Sequence, residues 1–236
     1  MWSGDLCLTG RKGSGKTTLL MRYVRAAPGP WIVWDPNGSI SRPSWAIEAS
    51  PASDTTAMRA VLAKGGRVLF REGAIGRPRA GDPGTVRRHF GLFARLCRET
   101  GASLAVDEAH LVMAEGREDP DVDDLSRRGR HFGPPGPDGR PVGCSLVLAT
   151  TAPQDLSKAP LHNGSAHAMF SADYSRPWLR TYGVAEEAVN RLAAALPHSY
   201  LVVRDGAALG PFIGREGLYH LLGAVSRTSG GAEAGP

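Results

Sequence analysis

Gly10-Arg11-Lys12-Gly13-Ser14-Gly15-Lys16-Thr17 stands nine residues into the chain and completes the pattern G-x-x-x-x-G-K-[ST]. Before it, Leu6-Cys7-Leu8-Thr9 is a short apolar run that reads as a buried strand. After it, Thr18-Leu19-Leu20-Met21-Arg22-Tyr23-Val24 reads as a helix. Strand, glycine loop and helix, in that order, are the context in which the pattern holds phosphate. The glycines let consecutive backbone N–H groups turn toward phosphate oxygens, and the helix N-terminus adds positive potential. Gly10, Gly13, Ser14, Gly15, Lys16, Thr17 and Thr18 are therefore the candidate nucleotide-binding residues. Lys16 would reach the β- and γ-phosphates and the Thr17 hydroxyl would ligate Mg²⁺. The expected ligands are a nucleoside triphosphate, read as ATP, and Mg²⁺.

A second apolar run, Ser103-Leu104-Ala105-Val106, ends in Asp107-Glu108, 91 residues beyond Lys16. Asp107 is expected to hold Mg²⁺ through water, since that ion keeps several of its own waters. Glu108 is expected to orient and polarise an attacking water. Transfer to a small acceptor does not need that glutamate, so its presence favours hydrolysis. A third run, Cys144 to Ala149, exits into Thr150-Thr151. A hydroxyl there either senses the γ-phosphate and attacking water or simply caps a strand, and Thr151 is the catalytic candidate. Asp107-Glu108-Ala109-His110 also spells the DEAH-box helicase motif. Those enzymes use two tandem domains and this chain has room for one. Ala109-His110 therefore reads as coincidental, with His110 a cap or core contact.

Apolar strands alternate with helical stretches along the chain. Trp31-Ile32-Val33-Trp34 and Arg67-Val68-Leu69-Phe70 read as strands, and Asp54 to Leu62 as a helix. Arg71 to Gly84 reads as a loop, with Thr85 capping a helix that runs to about Glu99. The apolar stripe of that helix, Val86, Phe90, Leu92, Phe93, Leu96 and Cys97, should pack on the sheet. Gly116 to Arg130 reads as a charged loop with a short helix, and Phe132 to Val142 as a proline- and glycine-rich loop. Ala166 to Phe170 is a short strand and Ala185 to Leu196 a helix stopped by Pro197; Tyr200-Val203 and Pro211-Ile213 form a closing hairpin. The expected fold is α/β: a single RecA-like (ASCE) P-loop NTPase domain with a mostly parallel sheet and helices on both faces. That domain should span residues 1–225, followed by a disordered tail over 226–236.

At 236 residues the chain suits one domain with a substantial core. The first strand begins so near Met1 that no upstream domain, signal or transit segment is expected. No apolar run approaches the roughly 20 residues of a membrane span. Cys7, Cys97 and Cys144 are widely spaced in apolar runs and read as buried thiols. The net charge of +5 and pI near 9.4 permit an anionic partner. Of 28 basic residues 24 are arginine, beside 30 Gly and 18 Pro, a bias that GC-rich coding alone produces. Charge therefore supports a nucleic-acid partner only weakly.

Four segments in order carry a more specific likeness: Asp35-Pro36-Asn37-Gly38, Asp107-Glu108, Arg128-Gly129-Arg130-His131-Phe132-Gly133, and Leu148-Ala149-Thr150-Thr151-Ala152-Pro153-Gln154-Asp155-Leu156-Ser157. From about Leu6 to Phe212 the chain resembles the HerA/FtsK superfamily of DNA-pumping ATPases. It is most similar to the genome-packaging ATPases of tailless, membrane-containing icosahedral viruses. The resemblance implies a homo-hexameric ring that threads double-stranded DNA without sequence specificity. It implies a viral portal or vertex partner, and work in the host cytoplasm or at the virion packaging vertex. It also makes Arg128 and Arg130, ahead of Arg127, candidates for an arginine that completes a neighbouring subunit's site, the alternatives being a grip on DNA phosphates and a solvated basic turn. Thr151 departs from the family, which usually has glutamine there. The rival readings are a Zot-like phage assembly ATPase, a P-loop kinase or nucleotide-binding regulator acting off DNA, and an assembly protein with ATP as a structural ligand.

Overall fold

Leu6–Thr9 forms β1, inside a nine-stranded sheet. The other strands are β2 (Trp31–Asp35), β3 (Ile47–Ala49), β4 (Arg67–Arg71), β5 (Ser103–Val106), β6 (Leu146–Thr150), β7 (Ala166–Phe170), β8 (Ser199–Arg204) and β9 (Ala207–Ile213). Their order is β3-β4-β2-β5-β6-β1-β7-β8-β9. All pairs from β3 to β7 are parallel, and β8 and β9 add an antiparallel hairpin at one edge. The computed structural model describes residues 5–50, 53–71, 83–113, 120–156, 166–172, 174, 176–204 and 206–223, with the side chains of 83–87, 122–123 and 176 outside that description. Helices are α1 (Lys16–Ala26), α2 (Thr55–Ala63), α3 (Pro83–Thr100), α4 (Pro120–Arg128), α5 (Arg176–Thr181), α6 (Glu186–Ala193) and α7 (Glu216–Gly223). Among the described residues no helix is long and apolar enough to cross a membrane.

The inner strands β1, β2, β5 and β6 are apolar and buried along almost their whole length because both sheet faces are covered there. Their side chains alternate between two cores with the period of two that a strand imposes. Cys7, Ile32, Trp34, Leu104, Val106, Leu146 and Leu148 face one core with Met58 and Leu62 of α2 and Phe90 and Phe93 of α3. Leu6, Leu8, Trp31, Val33, Ala105, Val147 and Ala149 face the other with Leu19, Leu20, Tyr23 and Val24 of α1 and Leu218 and Leu221 of α7. A third cluster packs α5 and α6 on the hairpin through Leu179, Val184, Leu192, Leu201 and Val203. Trp34 meets Phe90 and Phe93 edge-on at centroid distances of 4.7 and 5.1 Å. Truncating Phe93 to alanine here would cost about 3–5 kcal/mol.

Several boundaries differ from the sequence expectation. α3 starts at Pro83 rather than after Thr85, because proline suits the first helical position, where no N–H is needed. Its stripe is buried as expected at Phe90, Phe93, Leu96 and Cys97, while the Val86 side chain lies outside the described residues. α6 ends at Ala193, three residues before Leu196, and β9 begins at Ala207 rather than Pro211. Pro211 is tolerated within β9 because that strand is an edge. α4 is nine residues long, and β3, α5 and α7 have no counterpart in the sequence reading. These elements are short and are held by tertiary contacts more than by pattern. Asp54 caps α2 as read, its carboxylate accepting the Thr56 N–H at 2.8 Å. All three cysteines are buried free thiols. The expected disordered tail and most of the loop after Arg71 lie outside the described residues.

Asp5, just before β1, accepts the Leu146 N–H at 2.8 Å and is hydrogen-bonded to Ser126 of α4. Burial pushes its carboxyl up to about 8, against these hydrogen bonds. Between pH ~4 and ~8 the folded chain therefore keeps a proton that the unfolded chain has released, and stability falls as pH rises through that window. Asp5→Asn should flatten this slope between pH 5 and 8 in urea unfolding. A wild-type slope in the variant would refute the assignment.

Candidate active site

The glycine loop is anchored where β1 ends. Tyr174 donates its hydroxyl to the Phe170 carbonyl at 2.7 Å and accepts from Thr9 at 3.1 Å, tying the ends of β7 and β1 together. Gly10 follows at once, in contact with β7. A Cβ on Gly10 would lie 2.5 Å from Phe170 Cβ and 2.9 Å from Ser14 Oγ, so a side chain there has no room. Gly15 ends the loop at φ 104°, a backbone region that favours glycine, and α1 begins at the next residue.

Lys16 folds back over the loop and donates to the carbonyls of Gly10 at 2.9 Å and Arg11 at 3.1 Å. Burial lowers its pKa, while the nearby charges of Glu108 and Asp107 oppose that shift. Ser14 Oγ is buried with no hydrogen-bond partner among the described residues. A loop holding a cation and an unpaired buried hydroxyl fits an oxyanion better than it fits an apolar ligand.

Thr17 donates to both carboxylate oxygens of Asp107, each at 3.1 Å. Asp107 stands directly beyond β5, and β6 separates β5 from β1. Burial first, then the charge of Glu108, pushes the Asp107 carboxyl up to about 6, with Asp35 adding to the rise. Among the described residues no group of three or more His, Cys, Asp or Glu could hold a metal by itself. One hydroxyl and one carboxylate are hard oxygen donors, and they suit Mg²⁺ held by few protein groups together with phosphate.

Glu108 is one of only two non-glycine residues with positive φ among those described, at 45°. That conformation costs roughly 1–2 kcal/mol. It is held by a short 3₁₀ turn over Ala109–Leu111, in which the Leu111 N–H bonds the Glu108 carbonyl at 2.9 Å. The Glu108 carboxylate accepts from Thr151 Oγ1 at 3.1 Å, and His110 Nδ1 lies 3.5 Å from the same oxygen. His110 also meets Thr150 Oγ1 at 3.1 Å. His110 thus contacts the buried end of β6, and its ring also stands beside Glu108, a neighbour its letters did not indicate.

Lys16, Thr17, Thr18, Asp107 and Glu108 line one cavity of about 690 Å³, with Gly13 and Gly15 in its wall. Its other walls were not read as site residues. Asn37 and Ser39 reach it because buried Asp35 accepts the Ser39 and Ile40 N–H groups at 3.1 and 2.8 Å, folding the loop after β2 over the cavity. Arg71 in turn pairs with Asp35 at 3.8 Å and with Glu48 at 3.0 Å. Phe170, His198, Tyr200, Ile213 and Gly214 come from the hairpin side. Only the turn letters Asp35-Pro36-Asn37-Gly38 hinted at any of these.

Arg128 and Arg130 are not brought to the cavity within one chain. Gly129 between them exchanges backbone contact with Cys144, whose N–H bonds the Gly129 carbonyl at 2.9 Å, ahead of β6. The phosphate-loop candidate follows the opposite end of parallel β1, so the five residues of β6, roughly 15 Å, intervene. Arg128 is exposed and pairs with Asp124 at 3.2 Å, and Asp124 also receives Arg98 of α3 at 2.7 Å. Arg98 also stacks over Phe132 at 5.3 Å, so one side chain contacts the segment on both sides of Gly129.

A mostly parallel sheet, a glycine loop opening α1, and an acidic pair at the end of the next strand but one define a RecA-like P-loop NTPase fold. Solved structures share it. The genome packaging NTPase B204 from Sulfolobus turreted icosahedral virus 2, in complex with AMPPCP, is 18% identical with a TM-score of 0.64, covering 90% of this chain and 99% of that one. Its complex with sulfate gives 18% and 0.62 over 89% and 98%. B204, the DNA-packaging ATPase from Sulfolobus Turreted Icosahedral Virus, gives 16% and 0.58 over 89% and 98%. The expected likeness to viral packaging ATPases is thus matched in fold. No protein-family model and no curated protein matches the chain.

Gly10→Ala should lose about 1–3 kcal/mol of stability, the cost of forcing atoms into a filled space. Urea unfolding measures it, and an unchanged midpoint would contradict the close approach of β7 to the loop.

Proposed function

We propose that this chain is an ATPase that couples hydrolysis to movement of double-stranded DNA, as a viral genome-packaging motor working in a homo-hexameric ring. The observation that carries the reading is the convergence of Lys16, Thr17, Asp107 and Glu108 on one cavity, with Thr17 bonded to both oxygens of Asp107. Lys16 would neutralise charge on the β- and γ-phosphates, with Gly10, Gly13, Ser14, Gly15 and Thr18 framing the cradle. Thr17 and Asp107 would hold Mg²⁺, which when bound screens the phosphate oxygens. Glu108 would accept the proton of an attacking water, and Thr151 would hold Glu108 and sense the γ-phosphate side. That B204, of the same fold and 18% identical, was solved in complex with AMPPCP supports a nucleotide ligand. DNA would be gripped through its phosphates, so affinity should fall steeply with salt and ignore sequence. The domain would span 1–225, act in the host cytoplasm or at the packaging vertex, and dock a portal or vertex protein.

Steady-state ATP hydrolysis with and without double-stranded DNA tests the reading: DNA should stimulate turnover. Lys16→Ala should abolish turnover and weaken nucleotide binding. Glu108→Gln should keep Mg²⁺–ATP binding and lower turnover about 10²–10⁴-fold, the contribution of a positioned base. Turnover without DNA response points to a kinase or regulator instead, and wild-type turnover in Lys16→Ala rejects the site.

The separation of Arg128 and Arg130 from the cavity of their own chain supports an action across a subunit boundary. Arg128→Ala or Arg130→Ala should keep ATP affinity and lower turnover, by about 10³–10⁵ if the arginine acts as a full finger. Mixed with Lys16→Ala protein, such a variant should regain activity, each chain supplying what its neighbour lacks. A co-assembled mixture that stays inactive would exclude action in trans.

A further inference from the structure

We infer that His110 is a positioning residue for Glu108, tying the carboxylate to the end of β6 through Thr150; the inference rests on the hydrolytic reading of Glu108. Glu108 sits at φ 45°, outside any helix or strand, so no regular backbone sets the direction of its side chain. Two neighbours fix it instead, both at the same oxygen. Thr151 Oγ1 donates to Oε2 at 3.1 Å, and His110 Nδ1 stands 3.5 Å from it.

The network assigns the tautomer. Thr150 Oγ1 already accepts the Ala152 N–H at 3.1 Å. Its second lone pair is open to His110 Nδ1 at 3.1 Å. A bare lone pair on Nδ1 would face the carboxylate and repel it, whereas an Nδ1–H donates to Thr150 and leans toward Glu108. With that tautomer each contact is attractive. Thr150 is fully buried, so the imidazole is braced against the rigid end of the strand rather than against solvent. Thr151 then holds Glu108 Oε2 directly, and Thr150, which also accepts the Ala152 N–H, fixes the imidazole that stands against the same oxygen. A shift at the exit of β6 would reach Glu108 by two routes, through Thr151 directly and through Thr150 and His110. His110 touches neither phosphate nor water in this role; it aims the residue that does.

Steady-state ATPase measurements on His110→Ala, His110→Asn, His110→Gln and Glu108→Gln test this. His110→Ala should lower kcat about ten- to a hundredfold, the scale of misplacing a reacting group by up to ~1 Å. KM for ATP should stay within about twofold, because ground-state binding is untouched. Asn places an amide N–H near the Nδ1 position and should restore most of kcat; Gln reaches toward the Nε2 position and should not. His110→Ala added to Glu108→Gln should cost nothing further. Wild-type kcat in His110→Ala, equal kcat for the Asn and Ala variants, or an additive loss in the double variant overturns the inference while Glu108→Gln inactivity keeps the hydrolytic reading. No turnover in the wild type overturns both. If His110→Ala does not fold, Thr150→Val carries the test: kcat should fall at constant KM, and an unchanged kcat refutes the brace.

Discussion

Thr17 donating to both oxygens of Asp107 at 3.1 Å is the bond on which the rest of the site depends, because it joins two pieces of chain that meet only in the folded sheet. Asp107 is buried at the end of β5, and its carboxyl is pushed up to about 6 by loss of water and by Glu108. Thr17 is the side-chain hydrogen bond that offsets that burial. The bond spans β6, so β5, β6 and β1 must be in register for it to form. Lys16, next along the chain, is buried over the loop and held by two carbonyls. A cation, two carboxylates and a Ser14 hydroxyl with no partner among the described residues are thus concentrated at one end of an apolar sheet, where low polarity strengthens each of their fields.

That concentration is tolerable only because the surroundings are rigid. The Tyr174 bridge between Phe170 and Thr9 fixes the strand ends beneath the loop. Asp35 folds the loop after β2 over the cavity, and the Arg71 guanidinium lies beside it with Glu48 and the Ile40 carbonyl as further partners. The Asp35 charge also raises the Asp107 pKa, so the residue that shapes one wall affects the chemistry of another. Glu108, at an unfavourable φ, is steadied by Thr151 just beyond β6 and by His110 in its own turn, itself bonded to Thr150 of β6. Strain in such a residue is held by its neighbours.

The arginine segment obeys a different logic. It is fastened at the far end of β6 by the Gly129 backbone and by Arg98, which pairs with Asp121 and Asp124 and stacks on Phe132. Fixed there, Arg128 and Arg130 lie at the other end of β6 from their own cavity and do not line it. In the proposed ring, a chain that presents this end of its sheet to the next would give the placement a use.

Local patterns sufficed for the fold class and for singling out Lys16, Thr17, Asp107 and Glu108, which the fold gathers at one cavity, because a glycine loop between strand and helix, and acids after an apolar run, are set by neighbouring residues. The two-sided burial of the strands was legible for the same reason: runs such as Trp31-Ile32-Val33-Trp34 carry no polar face. β3, α5 and α7 were not legible, being short elements with little period of their own. Nor were the cavity walls: Asp35 folds Ser39 over the loop, and strand order carries Phe170, His198, Tyr200 and Ile213 beside it. His110 marks the boundary most clearly. Its letters were visible, but only the approach of β6 to the turn after β5 puts Thr150 behind it and Glu108 in front of it. Contacts between residues some 40 positions apart follow from sheet register and packing, and no local sequence pattern encodes them.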